Sequence, residues 1–541
     1  MGFAGQAKMY ARFAGHLRQF LRTPFTLEQS RAIIQGRLAQ REQNLLTLVR
    51  TAIYENPRSP YRKLLQQAGC EYGDFEKLVR SEGIEPALTR LRNEGVYLSV
   101  EEFKGKKDVV RGGQVFRLGD HDLDNPLITP HLAGKSGGSR SAGTRTTFDL
   151  DYLALGRAVY TQCLLDLLGA LDGPHILWAP ITPGFGPLEV LACAKMGKPP
   201  SKWFSPVTSK SFRPSLACRL ATNYIVRVGN LYGAKLPAPE YVPMDEAWRI
   251  AHWASEAIKT HGSCSIDAYT SNAVRICQAA KKDGLDLTGA KFWPSGEPLT
   301  GTKRREIEST GAMACTRYIF SEGGYVSFGC LRPTIPDDTH FLEDALALIQ
   351  HERPVPHADA SVNAFLFTTL LPATPKVLLN VENGDYGVVE TRRCGCGLEE
   401  LGFTKHISQI RGFDKLTGEG MTFIGTDFLR IIEEVLPVRF GGASTDYQMV
   451  EEEDEHGQTR VSILVSPDIC AMDDGALIRT VLTELGKGDS PQRMMTRIWS
   501  DARTLRVRRE RPLVTARGKL LPLHLASRCA DRSASGGKDG L

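Results

Sequence analysis

The sequence predicts an α/β protein, with a large multi-sheet N-terminal domain followed by a small α+β unit. Three observations carry this. At 541 residues the chain exceeds what one ordinary core supports. Across the middle of the chain, short β-rich runs alternate with longer segments of helical period, the pattern of covered sheets. After Gly412 a strand-and-helix pattern restarts on a smaller scale.

Residues 1–105 read as a helical segment packed on the main domain. Ala32-Ile33-Ile34, Leu38, Leu45-Leu46 and Leu48-Val49 recur at helical spacing with charges between them. Pro57 and Pro60 punctuate, a further helical run follows from Phe75 to Leu91, and Lys104-Gly105-Lys106-Lys107 closes the region as a loop. Residues 106–411 form the expected core. In it Ile176–Ala179, Tyr224–Val228 and Val377–Asn380 are expected strands, and Tyr152–Leu168 and Asp245–Ala257 expected helices. Residues 412–526 form the expected small unit: a helix around Phe428–Leu436, an acidic turn over Glu451–Gly457 and a strand Val461–Val465. A helix Asp474–Leu485 and a basic strand Thr504–Arg509 complete it. Residues 527–541, rich in Ser and Gly, are expected to be a disordered tail.

Composition removes several function classes. A hydrophobic fraction of 42% and a charged fraction of 24% suit a soluble globular protein. The net charge of +5 gathers in Arg503–Arg511 rather than across a face, which argues against nucleic acid as a partner. Twelve cysteines spread over this length are not a secreted disulfide framework. Asp166, Asp172 and His175 interrupt the longest apolar stretch, Cys163–Trp178, so no membrane span is expected. The N-terminus lacks the apolar core of a signal peptide, and the expected location is cytoplasmic. Oligomeric state is left open, with a homodimer among the expectations.

Three separated segments carry candidate chemistry. The first runs from Ser136 to Thr146, with Gly137, Gly138 and Gly143, the hydroxyls of Ser136, Ser139, Ser141 and Thr144, and Arg140 and Arg145. Backbone N–H groups of such a loop, with hydroxyls and cations, can cradle phosphates. It is not a Walker A loop, since no Gly-Lys-Ser/Thr follows, and a surface loop has the same composition. The second is Gly296-Glu297-Pro298, followed by Tyr318-Ile319-Phe320-Ser321-Glu322. Glu322 offers a carboxylate for a metal bridging phosphates, or is an exposed Glu after a capping Ser. Asn383-Gly384-Asp385 offers a carboxylate for ribose hydroxyls, or is a plain hairpin turn. The third is Thr515-Ala516-Arg517-Gly518-Lys519-Leu520, where Lys519 could enter a closed site and offset developing charge, or sit on the surface. Separately, Cys394-Gly395-Cys396 with Cys330 and His340 supplies donors for a tetrahedral, structural zinc site, or reduced thiols on a loop.

In this order and spacing the segments resemble the adenylate-forming superfamily of acyl-CoA synthetases, peptide-synthetase adenylation domains and luciferases. Over residues 90–525 the likeness is to its phenylacetate–CoA ligase branch, with coenzyme F390 synthetase and phenazine-antibiotic relatives. Gly296-Glu297-Pro298-Leu299, Arg305-Glu306-Ile307-Glu308, Tyr318–Glu322 and Gly384-Asp385 follow that branch's order. Ile410-Arg411-Gly412-Phe413-Asp414-Lys415-Leu416 resembles its hinge into a mobile C-terminal lid. The resemblance implies an adenylation domain plus lid, and AMP-forming activation of a carboxylic acid by ATP and Mg²⁺. Transfer to CoA would follow.

On that reading Ser136, Gly137, Gly138, Ser139, Gly143 and Thr144 hold phosphates, and Glu322 binds Mg²⁺. Gly296, Glu297 and Pro298 lie beside the adenine, with Tyr318, Ser321 and Arg411 also in the nucleotide site. Asp385 holds the ribose, and Lys519 acts in adenylation. Zinc bound by Cys and His in several such relatives points the same way for Cys330, His340, Cys394 and Cys396. Aromatics at Trp178–Phe185 and Trp203-Phe204 suggest an aryl or heteroaryl acid, and are equally suited to a core. The chain departs from the family in its longer phosphate loop without proline, in Ile319 after Tyr318, and in Phe413 after the hinge glycine. Two other readings are carried: transfer of the acyl group to an amine, a carrier-protein thiol or another small nucleophile, and a non-catalytic nucleotide-binding relative. Retention of Glu322, Asp385 and Lys519 together counts against the last.

Overall fold

Apolar positions that return every third or fourth residue make the first 105 residues helical. A computed structural model describes residues 3–135, 145–208, 216–354, 361–412, 415–418, 421–424, 430–455, 457–470, 472–487, 490–513 and 523–525. The helix Leu27–Ala39 starts at Thr26, whose hydroxyl accepts from the Gln29 N–H while the Gln29 side chain caps back. The expected run Phe75–Leu91 is two helices, Tyr72–Glu82 and Ile84–Asn93, parted at Gly83 with φ of 86°. Leu45, Phe75 and Leu88 from this region share a buried cluster with Leu366 and Val381 of the antiparallel sheet below, and with Leu378 just before it.

The middle of the chain contains a six-stranded, all-parallel sheet. Its order is Met313–Ala314, Ala290–Phe292, Cys264–Ala268, His175–Trp178, Lys202–Ser205 and Pro239–Tyr241. The central strands His175–Trp178 and Cys264–Ala268 are buried along their whole length, as in a sheet covered on both faces. The expected helix Tyr152–Leu168 is present as Leu150–Tyr152, a π-turn Leu153–Ala158 and Val159–Leu167. The expected helix Asp245–Ala257 is present as Ala247–His261 after a short 3₁₀ turn. Tyr224–Val228, expected as a strand, lies inside the helix Leu216–Leu231. Ala221, Ile225 and Val226 are buried while Asn223 and Arg227 are exposed, so a helical period overrides the β-branched run.

Beside it stands a seven-stranded antiparallel sheet: Arg317–Phe320, Gly324–Gly329, Thr339–Phe341, Lys405–Gly412, Val381–Thr391, Ser361–Thr369 and Leu346–Pro354. It curls strongly. Phe320 on the first strand meets Phe367 on the sixth at 5.1 Å between ring centroids, around a core of Val326, Phe341, Phe365 and Ile407. Val377–Asn380 is not the expected strand. It is an extended lead-in that ends at Asn380 with φ of 51°, before the strand Val381–Thr391.

The C-terminal unit has a four-stranded sheet in the order Leu505–Arg508, Thr459–Val465, Tyr447–Glu453 and Leu523–Leu525. Helices Asp474–Leu485 and Ser490–Asp501 accompany it, the second packing on Met244–Glu246 of the main domain. Of the expected helix Phe428–Leu436, residues 430–436 are helical. Glu451–Glu453, expected in a turn, end a strand instead, and the turn starts at Asp454. The basic strand is matched by acids: Arg508 pairs with Glu452 at 2.9 Å and Arg506 with Asp454 at 3.2 Å. Residues Phe413-Asp414 of the expected hinge and the tail 527–541 lie outside the described residues.

Candidate functional site

In open α/β sheets ligands gather beyond the carboxyl ends of the strands. Gly296-Glu297-Pro298 lies there, just past the strand Ala290–Phe292, and Ser295 bridges to Tyr269 beyond the neighbouring strand. Gly296 has φ of 83°, a turn conformation that L side chains resist. Its neighbour Glu297 turns inward. The Glu297 carboxylate accepts from Lys303 Nζ at 2.8 Å, Ser271 Oγ at 2.6 Å and Thr459 Oγ1 at 2.9 Å. Lys303 Nζ also donates to Thr459 Oγ1 at 2.8 Å. Burial works to raise this carboxyl, and the Lys303 charge with the hydrogen bonds overrides it, leaving it below its ordinary value. Thr459 belongs to the C-terminal sheet, so Glu297 ties that unit to the main domain. Thr300 adds a second tie, donating to Glu453 at 2.7 Å.

The antiparallel sheet's curl brings Tyr318 to Asp385. The Tyr318 hydroxyl donates to Asp385 Oδ2 at 2.6 Å, and Asn383 Nδ2 donates to the same oxygen at 2.8 Å and to the Tyr318 hydroxyl at 2.6 Å. Burial and the Asp385 charge push the Tyr318 phenol well above its ordinary value. Asn383-Gly384-Asp385 is no hairpin turn. It lies within the strand Val381–Thr391, with Gly384 at φ of 87°. Arg411, opposite Tyr386 in register, directs its guanidinium to Asp337 at 3.1 Å.

Glu322 sits in the tight turn after Tyr318's strand, buried, with Ser321 half-buried beside it. Its carboxylate meets Lys104 Nζ at 2.7 Å. Burial works to raise it, and the Lys104 charge and hydrogen bond bring it below the ordinary carboxylate range. One buried carboxylate neutralised by an ammonium does not fit Mg²⁺ as it stands: the lysine must leave first.

Cys330, His340, Cys394 and Cys396 come together, with their donor atoms within 4.8 Å of one another. His340 Nε2 lies 3.2 Å from Cys396 Sγ and 3.4 Å from Cys394 Sγ. Its Nδ1 is 2.8 Å from the Phe403 carbonyl, which can only accept, so Nδ1 carries the proton and Nε2 a lone pair facing the sulfurs. Gly395, with φ of 69°, turns both cysteines inward, and Glu399 clamps the loop by accepting from the N–H groups of Cys394 at 2.6 Å and Gly395 at 2.7 Å. The Arg332 N–H points at Cys330 Sγ at 3.4 Å. Hydrogen bonding from Cys330, with burial opposing and His340 assisting, holds the Cys396 thiol far below its ordinary value. Three sulfurs and one imidazole lone pair fit a tetrahedral zinc ion. Cys330, Cys394 and Cys396 are free thiols.

Other expected residues lie elsewhere. Ser136, Gly137, Gly138, Ser139, Gly143, Thr144 and Lys519 fall outside the described residues. The strands flanking the loop, Leu132–Lys135 and Arg145–Phe148, pair with Lys135 opposite Arg145. Trp178, Trp203 and Phe204 belong to the core, and the indole N–H groups donate to the carbonyls of Val242 and Ala179. Sequence reasoning missed Lys104, Lys303 and Thr459. It also missed a buried network in which Arg157 pairs with Glu189 and Arg317 with Asp267. Tyr325 joins the two pairs, donating to Glu189 at 3.0 Å and accepting from Arg317 at 3.4 Å. Burial first, then Glu189 against the opposing Arg317, pushes Asp267 up to about 7.

No family model and no curated protein matches the chain. Among solved structures it is similar to a 2-hydroxyisobutyryl-CoA ligase in complex with 2-HIB-AMP and CoA. Identity there is 13%, over 93% of this chain and 91% of that one, with a TM-score of 0.48. A malonyl-CoA ligase with methylmalonyl-CoA and AMP bound is 14% identical over 75% of each chain, with a TM-score of 0.40. The amide bond synthetase McbA from Marinactinospora thermotolerans is 12% identical over 90% of this chain and 93% of that one, with a TM-score of 0.39.

Proposed function

We propose that this protein is an AMP-forming ligase that activates a carboxylic acid with ATP as an acyl-adenylate and passes the acyl group to CoA. The observation that carries the reading is the meeting of Tyr318, Asn383 and Asp385 in one hydrogen-bonded group beside the Glu322 turn. Tyr318 and Asp385 are positions at which the sequence resembles the nucleotide site of adenylate-forming enzymes. A carboxylate held by a phenol and an amide is oriented before a ribose arrives, which lowers the cost of binding its hydroxyls.

In this reading the loop 136–144 takes the phosphates, and Lys519 stabilises charge on the α-phosphate as the acid attacks. Gly296 and Pro298 border the nucleotide, while Glu297 acts through the Lys303–Thr459 tie rather than by touching the base. A structural zinc ion at Cys330, His340, Cys394 and Cys396 would cross-link the loop 392–396 to the strand Thr339–Phe341. Because Trp178 and Trp203 are core residues, the aryl or heteroaryl class of acid rests on the sequence resemblance alone.

The test is carboxylate-dependent ATP–pyrophosphate exchange with aryl, heteroaryl and aliphatic acids. Exchange that Lys519→Ala abolishes while the fold stays intact supports the reading, and CoA-dependent AMP release then separates a CoA ligase from amine or carrier-protein transfer. Nucleotide binding without exchange across the panel rejects adenylation and leaves a nucleotide-binding protein.

A further inference from the structure

Arg317 stands where the two large sheets of the main domain meet. It opens the strand Arg317–Phe320 of the antiparallel sheet, and its guanidinium is buried against Asp267 on the parallel strand Cys264–Ala268. The same residue holds the segment before Gly296 at three successive positions. Its guanidinium carbon lies 4.3 Å from the Trp293 ring centroid, its backbone N–H donates to the Pro294 carbonyl at 2.9 Å, and Nη2 donates to Ser295 Oγ at 3.4 Å. Nη1 donates to the Tyr325 hydroxyl at 3.4 Å, on the adjoining antiparallel strand. One side chain thus joins Asp267, Ser295 and Tyr325 from three separate elements. Side chains alternate along a strand, and the next one, Tyr318, takes the opposite face and donates to Asp385 Oδ2 at 2.6 Å.

We propose that Arg317 is a positioning residue for nucleotide binding, whose guanidinium fixes the Ser295–Gly296 turn relative to the Tyr318–Asp385 contact. This rests on the nucleotide reading given above, in which Gly296 borders the nucleotide and Asp385 takes the ribose. Parts of a site that are spaced before the ligand arrives bind it at lower cost. Two observations favour this role over that of a purely structural ion pair. Beyond Asp267, the contacts of Arg317 go to neutral groups, the Trp293 ring and the Ser295 and Tyr325 hydroxyls. A planar guanidinium with five donors can serve these directions at once, and a lysine ammonium cannot. A buried pair also adds little stability over neutral residues of similar volume, so it is the fork's geometry that the site uses.

The experiment measures ATP binding by calorimetry, alongside denaturant midpoints, in the full chain and in Arg317→Lys, Ser295→Ala and the double variant. Lysine keeps a charge for Asp267 and gives up the fork. Arg317→Lys is therefore expected to hold its midpoint near that of the wild type and to bind ATP about two- to tenfold more weakly, as for one lost hydrogen bond. Ser295→Ala is expected to weaken ATP binding within the same range. The double variant binds no more weakly than the weaker single, because both changes break one link. Wild-type ATP affinity in Arg317→Lys overturns the proposal, as do losses that multiply in the double variant or that appear only with a matching fall in midpoint. No ATP binding by the wild type defeats the nucleotide reading, and this proposal with it. Should Arg317→Lys fail to fold, Tyr325→Phe takes its place in the cycle with Ser295→Ala, since the two hydroxyls meet through the guanidinium: a shared loss supports the proposal, and independent losses reject it.

Discussion

Replacing Lys303 by Met isolates the tie between the main domain and the C-terminal unit. The Lys303 and Glu297 side chains are each 1% exposed, with their charges 2.8 Å apart. Met matches the lysine stem and removes only the ammonium, so the loss is electrostatic rather than a cavity. The Glu297 carboxylate would keep the Ser271 and Thr459 hydroxyls and lose the Lys303 ammonium. Removing one partner of a buried pair costs about 3–5 kcal/mol, because the survivor is left charged and desolvated. The double variant Lys303→Met/Glu297→Gln takes both charges away, and most of that cost should vanish, since a buried pair gains little over a neutral one. Denaturant midpoints for the two singles and the double give the coupling directly. Exchange of backbone amides with solvent, followed in peptides covering 296–303 and 457–463, locates it. A Lys303→Met penalty below about 1 kcal/mol, or penalties that simply add in the double variant, would refute the argument.

Three further outcomes are expected. Lys104→Met strands the buried Glu322 carboxylate and should cost on the order of 3 kcal/mol in a denaturant titration; if Glu322 can exchange lysine for Mg²⁺, added Mg²⁺ restores part of the loss, and no Mg²⁺ effect argues against a metal at this carboxylate. Cys394→Ser should lower thermal stability and metal content together, and an unchanged melting curve and metal analysis would remove zinc from the account. His175 is buried against Ser265, and burial first, then the Arg317 charge, pushes it down to about 4 from 6.5, with Glu189 opposing. The unfolded chain then binds the proton more readily. Stability from neutral His175 is therefore complete above pH 6.5 and lost as pH falls toward 4, by up to about 3 kcal/mol. The penalty of His175→Gln should accordingly be smaller at pH 5 than at pH 7.5, and one that grows at low pH contradicts this.

Much of the architecture was legible because buried strands and amphipathic helices leave different periods. Ile176–Ala179 was readable as a strand, and Asp474–Leu485 as a helix, from that alone. Tyr224–Val228 misled because Tyr, Ile and Val favour strands locally, while burial of Ala221 and Ile225 one turn apart set the helix. Asn380 ended an expected strand through a backbone angle that carries no hydrophobic signal. At the site, residue types were legible and pairings were not. The close thiol pair of Cys394-Gly395-Cys396 stands out in the sequence, whereas His406 looks like any strand histidine until the register sets it against His340. Arg157–Glu189 and Arg317–Asp267 unite residues from separate elements, and no local pattern announces such partners.

The three carboxylates read from the sequence as one nucleotide site are physically unlike. Asp385 is held by the Tyr318 phenol and the Asn383 amide, which orient its carboxylate. Glu322 is cancelled by Lys104, and any cation that reaches it must first outcompete an ammonium at 2.7 Å. Glu297 is cancelled by Lys303 and sealed by Thr459 from another domain, so exchanging its partner means opening an interface. Glu297, sealed at an interface, is therefore the least available of the three to a ligand. Alanine at Asp385 should strike nucleotide affinity with little effect on folding, whereas alanine at Glu297 should strike stability and the docking of the C-terminal unit. Equal effects of the two on nucleotide binding, with stability unchanged in both, would restore Glu297 to the base and undo this ordering.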